Sequence, residues 1–325
     1  MRDHEVDNRW RIGTALAILL VMALGGPLPG HAAGKLRVGQ TYVWLGDLPL
    51  YIAQEKGFYK KHDVDVDFIT FRGGGELASA LVGGSVDVAV AALDHAIKMR
   101  EKGLDVVSVL VIQDKLGFTM FARKGAGIKT VADLKGKVLG TSAPGSASDN
   151  YMRYLVAKAG LDPVKDVTLV ASGNEGRIAA LKQGAVQGAA FSEPGTSVVL
   201  SEGFGEVLHD GTQWEYPFTV AMVKRDVLAK NREAVKAFVE ATLEGARLIR
   251  ANPAEAEAVA VKLFGKADPG VIRQATRNYV PTFSQTGAFS EKSVKFAMEL
   301  LVDTKTIKEP VPIAPLLDQS LLPRR

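Results

Sequence analysis

Two polar loops contain the residues of this sequence most suited to holding a ligand. The first, Arg72-Gly73-Gly74-Gly75, follows a predicted strand and begins a predicted helix. Glycine lets backbone N–H groups at a helix start approach a polar or anionic group. The second loop, residues 141–149 (TSAPGSASD), precedes a helix that we expect to run to Ala159. Capping of that helix explains one serine, so Ser142, Ser146 and Ser148 together favour a ligand site of hydroxyl and amide groups.

Carboxylates and a tryptophan also follow predicted strands. Asp94 and Glu193 come after strands 86–92 and 186–191, where each could accept a ligand N–H or cap the next helix. Trp44 follows the first strand and could stack on a ligand or pack against its lobe. Ligands of open α/β sheets sit beyond the carboxyl ends of strands. The predicted ligand-binding residues are Gln40, Trp44, Gly74, Gly75, Asp94, Ser142, Ser146, Asn174 and Glu193.

Known enzyme motifs are missing from the sequence. It contains no nucleophile elbow, no phosphate-binding P-loop and no cysteine, and its histidines lack metal-ligand spacing. Gly73-x-Gly75-x-x-Ala78 with Asp94 fits a dinucleotide fingerprint, but the strand–helix unit is short and the turn is loose. We therefore expect no catalytic residue, metal or cofactor. An enzyme that uses Asp94 or Glu193 as a base remains the alternative.

Composition and the N-terminus indicate an exported globular protein. The 325 residues carry 40 Lys+Arg against 36 Asp+Glu, too small an excess to predict a nucleic-acid partner. Arg9 and Arg11 precede an apolar run at 12–24, then glycines, prolines and a small-residue cleavage pattern. The run is too short to span a bilayer. We predict a cleavable signal peptide, residues 1–33, and a periplasmic location.

The mature sequence repeats itself at a spacing of 100 residues. Ala80-Leu81-x-x-Gly84-x-Val86 recurs as Ala180-Leu181-x-x-Gly184-x-Val186, and both stretches predict a helix, a glycine stop and a strand. Alternating strands and helices indicate an α/β fold. We predict two lobes, each a mixed sheet flanked by helices: lobe I from 35–119 and 219–325, lobe II from 120–218. Strands 118–122 and 218–223 are the predicted hinges, and the proline-containing tail at 310–315 is expected to be extended.

Several segments resemble the nitrate/sulfonate/taurine-type substrate-binding proteins of ABC importers. The similarity lies in Pro49–Tyr59 (PLYIAQEKGFY), Val131–Lys137 (VADLKGK), Ala179–Val186 and Glu193-Pro194. The resemblance implies a type II periplasmic-binding-protein fold, a clamshell that closes on solute. It also implies a monomer that performs no reaction and delivers a small-molecule solute to a membrane ABC permease.

The same family includes binders of thiamine-pyrimidine precursors and a related pyrimidine synthase. By this resemblance Trp44 and Glu193 could hold a pyrimidine, whereas the synthase's cysteine-rich motif is absent. The alternative function is an exported or related enzyme of pyrimidine/thiamine precursor metabolism that uses a cleft carboxylate. The two carboxylates, and loops without basic residues apart from flanking Arg72 and Arg177, predict a neutral, aromatic or amine-bearing solute.

Overall fold

Two mixed β-sheets form the frame of the protein. The computed structural model describes residues 34–323, apart from the side chains of Asn174 and Glu175, so the predicted signal peptide lies outside the described residues. The described strands are β1 (Gly34–Gln40), β2 (Val64–Thr70), β3 (Val88–Ala92), β4 (Val106–Lys115), β5 (Thr119–Arg123), β6 (Val138–Thr141), β7 (Thr168–Ala171), β8 (Gly188–Phe191), β9 (Gly205–Asp210) and β10 (Glu215–Lys224).

Both sheets have the same strand arrangement. The first has the order β2-β1-β3-β10-β4 and the second β7-β6-β8-β5-β9. In each, three parallel strands are followed by an antiparallel one, β10 in the first sheet and β5 in the second. Each antiparallel strand is the one that the chain enters after crossing from the other sheet. The predicted two-lobed α/β fold with mixed sheets is therefore confirmed.

Helices cover both sheets, and between residues 34 and 323 none is long and apolar enough to cross a membrane. The tail predicted to be extended includes a short helical turn, because Pro312 can precede a helix and Pro315 lies within its first turn. The helices are α1 (Leu48–Glu55), α2 (Phe58–Lys61), α3 (Gly74–Gly83), α4 (Leu93–Glu101), α5 (Ala147–Lys158), α6 (Asn174–Gln183), α7 (Gly195–Glu202), α8 (Arg225–Lys230), α9 (Arg232–Ala251), α10 (Pro253–Leu263), α11 (Pro269–Tyr279), α12 (Glu291–Asp303) and α13 (Ile313–Leu316).

The sequence repeat corresponds to a structural repeat. Helices α3 and α6 both end at a left-handed glycine, Gly84 at φ 76° and Gly184 at φ 82°. Asp87 Oδ2 then accepts the backbone N–H of Arg37 in β1 at 2.9 Å. Gln187 Oε1 does the same for the first residue of β6 at 3.1 Å. In both lobes, therefore, a left-handed glycine ends the helix, and a side chain three residues later accepts a backbone N–H of a neighbouring strand.

The chain crosses between the sheets in two short adjacent segments, 116–118 and 211–214. The Gly211 N–H donates to the Phe118 carbonyl at 2.9 Å, and the Leu116 N–H donates to the Trp214 carbonyl at 3.2 Å. The strands predicted as hinges each belong to one sheet, since β5 and β10 are fully paired there. The crossing segments lie just before these strands, where the chain leaves one sheet and enters the other.

Glycine is required in both crossing segments by close packing. A Cβ on Gly117 would lie 2.8 Å from the Tyr279 hydroxyl oxygen and from the Phe218 ring. A Cβ on Gly211 would lie 2.6 Å from the Phe118 carbonyl oxygen. Real Cβ atoms do not approach other atoms so closely, so the two segments can only pack in this way without side chains there.

Gly245→Ala should destabilise the protein by about 1–3 kcal/mol, because a Cβ there would overlap the Pro49 carbonyl where α9 crosses α1. Gly83→Ala is the matched control in another helix, because no atom lies near its added Cβ and alanine favours helices. Urea denaturation of both variants measures the difference. Equal stabilities would show that the α1–α9 crossing relaxes freely.

Candidate functional site

The predicted site residues follow the carboxyl ends of parallel strands in the two sheets, and the region between these strand ends is called the cleft here. The glycine loop follows β2 and Asp94 follows β3, while the serine loop follows β6 and Glu193 follows β8. Lys98 of α4 donates from Nζ to the Gly145 carbonyl at 3.3 Å, which joins the first lobe to the serine loop. The topology therefore brings both predicted loops to one site, as parallel strands require.

The serine loop is a closed set of hydroxyl groups at the start of α5. Ser142 Oγ lies 2.8 Å from both Ser146 Oγ and Ser148 Oγ, and those two oxygens are 3.2 Å apart. The Asp149 N–H donates to Ser146 Oγ at 3.3 Å, so Ser146 caps the helix. The Ser142 N–H donates to Ser148 Oγ at 3.1 Å. All three serines predicted as a group therefore act together.

Asp94 is paired with a cation of its own helix. It is only 1% exposed, and its Oδ2 accepts from Lys98 Nζ at 2.9 Å. Burial alone would raise the pKa of Asp94, but the charges of Lys98 and His95 outweigh it and lower this pKa. Asp94 Oδ1 has no hydrogen-bond partner. The lowered pKa and the ion pair make Asp94 a poor general base and a fixed acceptor.

The two glycines of the first loop differ in their surroundings. A Cβ on Gly74 would overlap the imidazole of His95, which is buried against the loop. A Cβ on Gly75 would meet no atom within 4 Å. The structure therefore gives Gly74 a packing role, where the sequence suggested only close approach of a ligand.

Aromatic rings surround Trp44 at the base of the cleft. Its ring centroid lies 5.5 Å from that of Phe218 and 6.4 Å from that of Tyr279, both edge to face. The Tyr42 ring is 6.3 Å away and lies nearer to solvent. Trp44 is partly buried, so its packing contacts leave part of its surface at the cleft. Both roles considered for Trp44 are compatible with this position.

Gln40 and Asn174 lie at the ends of two different elements, strand β1 and helix α6. Gln40 ends β1, is 2% exposed, and donates from Nε2 to Tyr51 Oη at 2.7 Å and to Thr70 Oγ1 at 3.2 Å. Its Oε1 has no partner. Asn174 begins α6, and its side chain is outside the described part of the structure.

Glu193 connects the lobes and has no free oxygen. Oε2 accepts the Ser197 N–H at 3.0 Å, and Oε1 accepts from Asn278 Nδ2, on α11 of the first lobe, at 2.8 Å. Burial raises the pKa of Glu193, and the bonds from Asn278 and Ser197 offset part of this rise. Glu193 also borders a cavity of ≈ 280 Å³ beside the crossing segments. Its position favours a role in holding the lobes over direct contact with solute.

Asp47 is a buried carboxylate that the sequence analysis missed. It is 1% exposed and precedes α1, and the Trp44 side chain lies close enough to donate a hydrogen bond to its carboxyl group. Its side chain does not cap the helix. Burial raises the pKa of Asp47 well above its usual value, and the nearby Trp44 lowers it in part. The sequence signal was an acidic residue directly before Leu-Pro at a helix start, which also fits an ordinary cap.

Arg177 occupies in the second lobe the position that Leu77 has in the first. Leu77 is part of the apolar core. The buried Arg177 donates from Nη1 to the Ala190 carbonyl at 2.7 Å, and its guanidinium lies 5.4 Å from the centre of the Phe191 ring. At this one repeated position, therefore, the second lobe has a charged side chain and the first lobe an apolar one. Among residues 34–323, no group of three or more His, Cys, Asp or Glu side chains is arranged to hold a metal ion.

Gly74→Ala should lower the stability of the empty protein by about 1–3 kcal/mol, because the added methyl group displaces His95 from its packed position. Gly75→Ala is the neighbouring control and should leave stability nearly unchanged. Thermal denaturation compares the two variants. Equal losses would assign both glycines to backbone conformation rather than to contact with His95.

Asp47→Asn should change how stability depends on pH. A raised pKa in the folded state means that folding favours the protonated carboxyl group. This contribution is complete below the unfolded-state pKa, about 4, and is lost as the pH rises through the folded-state pKa. Asparagine does not titrate, so as the pH rises above about 4 the wild type should lose stability relative to the variant. Parallel urea-denaturation curves across this range would contradict the assignment.

Solved structures and curated relatives place this architecture among known proteins. The structure is similar to the periplasmic aliphatic sulphonate binding protein SsuA from Escherichia coli, with a TM-score of 0.74 and 23% identity over 88% of this chain and 92% of the other. It is also similar to the periplasmic nitrate-binding protein NrtA from Synechocystis, with a TM-score of 0.69 and 18% identity over 88% and 86% of the two chains. These similarities confirm the periplasmic-binding-protein fold.

Sequence comparison extends the likeness to the whole chain. YtlA of Bacillus subtilis, named as a binding protein, is 25% identical over 97% of each chain. The sequence profile of the NMT1/THI5-like family matches residues 46–256, a range from the turn before α1 into α10. The resemblance found in the sequence is thus confirmed for family and fold, and the chain belongs to the NMT1/THI5-like family.

Proposed function

We propose that this protein is the periplasmic solute-binding component of an ABC importer. It captures a small polar organic solute between its lobes and delivers it to a membrane permease. In this proposal residues 1–33 are a cleaved signal peptide and the mature chain acts as a monomer. Lobe I comprises 35–119 and 219–325, and lobe II comprises 120–218. The similar proteins that are named as sulphonate-binding, nitrate-binding or simply binding proteins support the proposal.

The observation that carries the proposal is that the chain passes between two equivalent lobes in two short segments that lie side by side. These segments are hydrogen-bonded to each other, so both can bend together while each sheet stays intact. Single contacts such as Lys98 to the Gly145 carbonyl can form and break as the lobes move. Such a clamshell allows capture and release of a solute without a reaction.

The carboxylates that an enzyme would use as a base are engaged, Asp94 through one of its oxygens and Glu193 through both. Asp94 is paired with Lys98, and both oxygens of Glu193 accept hydrogen bonds from Ser197 and Asn278. A general base needs a lone pair directed at the substrate proton. These contacts favour transport over the alternative of a pyrimidine or thiamine precursor enzyme, and turnover of a bound compound would decide for the enzyme.

A thermal-shift screen of the mature protein tests the function. The panel contains nitrate, alkanesulfonates, aromatic acids, pyrimidines and primary amines. A solute present at 100 times its dissociation constant should stabilise the protein by about 2.7 kcal/mol. Small-angle scattering should show a smaller radius of gyration with that solute, and chromatography should recover it unchanged. Absence of binding across the panel, or conversion of a bound compound, contradicts the proposal.

Ser146→Ala tests whether the serine loop contacts the bound solute. Ser290→Ala is the matched control, because Ser290 caps α12 and lies outside the loops of the cleft. Both variants should lose about 1 kcal/mol of stability when empty, the usual contribution of a cap. Only Ser146→Ala should also lower the affinity for the solute found in the screen. The expected decrease is about fivefold, which corresponds to the loss of one neutral hydrogen bond. Calorimetry showing equal affinity for both variants would place the solute away from this loop.

A further inference from the structure

We propose that the two lobes pivot on the contact between α5 and α12, so that α7 and α11 separate, with Asn278 as the releasable link between them. The inference rests on the proposed function for the use of this movement, the capture of a solute. The observation behind it is that the two helix pairs join the lobes in different ways.

Helices α5 and α12 are joined by an apolar core that runs from one lobe into the other. Tyr151 of α5 belongs to the same buried cluster as Val294 of α12. The ring centroids of Tyr154 and Phe296, one on each helix, are 5.8 Å apart and edge to face. Separating these helices would expose apolar surface to water, which is unfavourable in proportion to the area exposed.

One crossing segment is anchored beside this contact. Trp214 ends the segment 211–214, and its ring centroid lies 5.3 Å from that of Phe296 on α12. Thr306, which follows α12, donates from Oγ1 to Asn150 Oδ1 of α5 at 2.8 Å, and Asn150 is only 2% exposed. The chain therefore passes between the sheets next to the apolar contact, so bending there leaves α5 and α12 together.

Helices α7 and α11 also belong to opposite lobes, but each is packed into a core of its own lobe. Val199 of α7 lies in a cluster of second-lobe residues, and Ile272 of α11 lies in a separate cluster of first-lobe residues. Polar groups link the two helices. Asn278 Nδ2 on α11 donates to Glu193 Oε1 at 2.8 Å and to Ser197 Oγ at 3.2 Å.

Water can replace these polar links when the helices part. Asn278 is exposed, so solvent already reaches it. A third link, from the Glu193 N–H to the Tyr279 hydroxyl oxygen at 3.2 Å, is also a hydrogen bond. Exchanging a hydrogen bond within the protein for one to water changes the free energy little, whereas water offers no such exchange to apolar surface. The α7–α11 side is therefore the easier one to open.

Two cavities border the Asn278 link and leave room for movement. One has a volume of ≈ 560 Å³ and lies between α7 and α11. The other is the cavity of ≈ 280 Å³ beside the crossing segments. Leu200 of α7 and Asn278 line both cavities, and Leu200 is 49% exposed. Because close packing is what resists displacement in a protein interior, α7 meets little resistance here.

The test places spin labels at introduced cysteines, because the sequence contains no cysteine of its own. One labelled pair, Ser201→Cys with Arg273→Cys, reports on α7 and α11. A second pair, Ala157→Cys with Glu299→Cys, reports on α5 and α12. These four side chains lie outside the links described above. Pulsed electron paramagnetic resonance measures the distance distribution of each pair in the mature protein, first alone and then with the solute found in the screen.

Asn278→Ala removes the link between α7 and α11. In the protein without solute, this variant should have an α7–α11 distance distribution about twofold wider than its labelled parent, because the helices sample more separations. The α5–α12 distribution should stay unchanged. Glu193→Gln should have the same effect, because the amide nitrogen of glutamine cannot accept a hydrogen bond from Asn278 or Ser197.

Asn252→Ala is the matched control. Asn252 caps α10 and bonds to Glu255 of that helix, within the first lobe. It should leave both distance distributions unchanged, although it removes a side-chain amide and a helix cap.

A bound solute should shift the α7–α11 distance and leave the α5–α12 distance in place. An α7–α11 distribution that both variants leave unchanged, or an α5–α12 distance that the variants widen or the solute shifts, overturns the inference and leaves solute binding intact. If the variants behave as expected but a bound solute shifts neither distance, the pivot stands and capture by lobe movement fails. The measurements without solute decide the pivot even where the screen finds no ligand.

Discussion

The hydroxyl group of Tyr279 holds the two lobes in register where the chain crosses between them. It donates to the Gly117 carbonyl at 2.6 Å and accepts the N–H of Glu193 at 3.2 Å. One side chain of α11 thus fixes a crossing segment and the start of the second lobe's α7. The Trp44 ring packs against the same tyrosine. Any change in the angle between the lobes must therefore be accommodated around this residue, and the base of the cleft moves with it.

The repeated scaffold separates what folds the lobes from what distinguishes them. Equivalent glycines end α3 and α6, and equivalent side chains accept a backbone N–H from the adjoining strand. On this common frame Leu77 fills an apolar core position and Arg177 brings charge to the same place. Asp47 and the serine loop add further polarity, each on one lobe only. The two lobes therefore differ in the polar groups that they carry, although their architecture is nearly the same.

Sequence patterns were sufficient to predict the strands and helices and their order, because periodicity, glycine stops and the repeat are local signals. They also predicted that Asp94 and the serines lie near one another at strand ends, since parallel strands end at a common edge. They could not reveal that Glu193 is bound by Asn278, 85 residues away. Nor could they show that Gly74 lies against His95, or that the carboxyl group of Asp47 is buried beside Trp44. Such facts depend on tertiary distance, which a single sequence does not encode locally.

The mutual hydrogen bonds of Ser142, Ser146 and Ser148 bear on how a solute that binds here, as proposed, would dissociate. Because these hydroxyl groups hydrogen-bond to one another, the loop keeps its conformation without a bound solute. A solute that contacts them exchanges one hydrogen bond for another, so its net gain there is small and depends on fit. Such a surface selects solutes by their shape but slows their dissociation only weakly. Under the proposed function, this combination of selectivity and weak retention suits a protein that releases its solute to a permease.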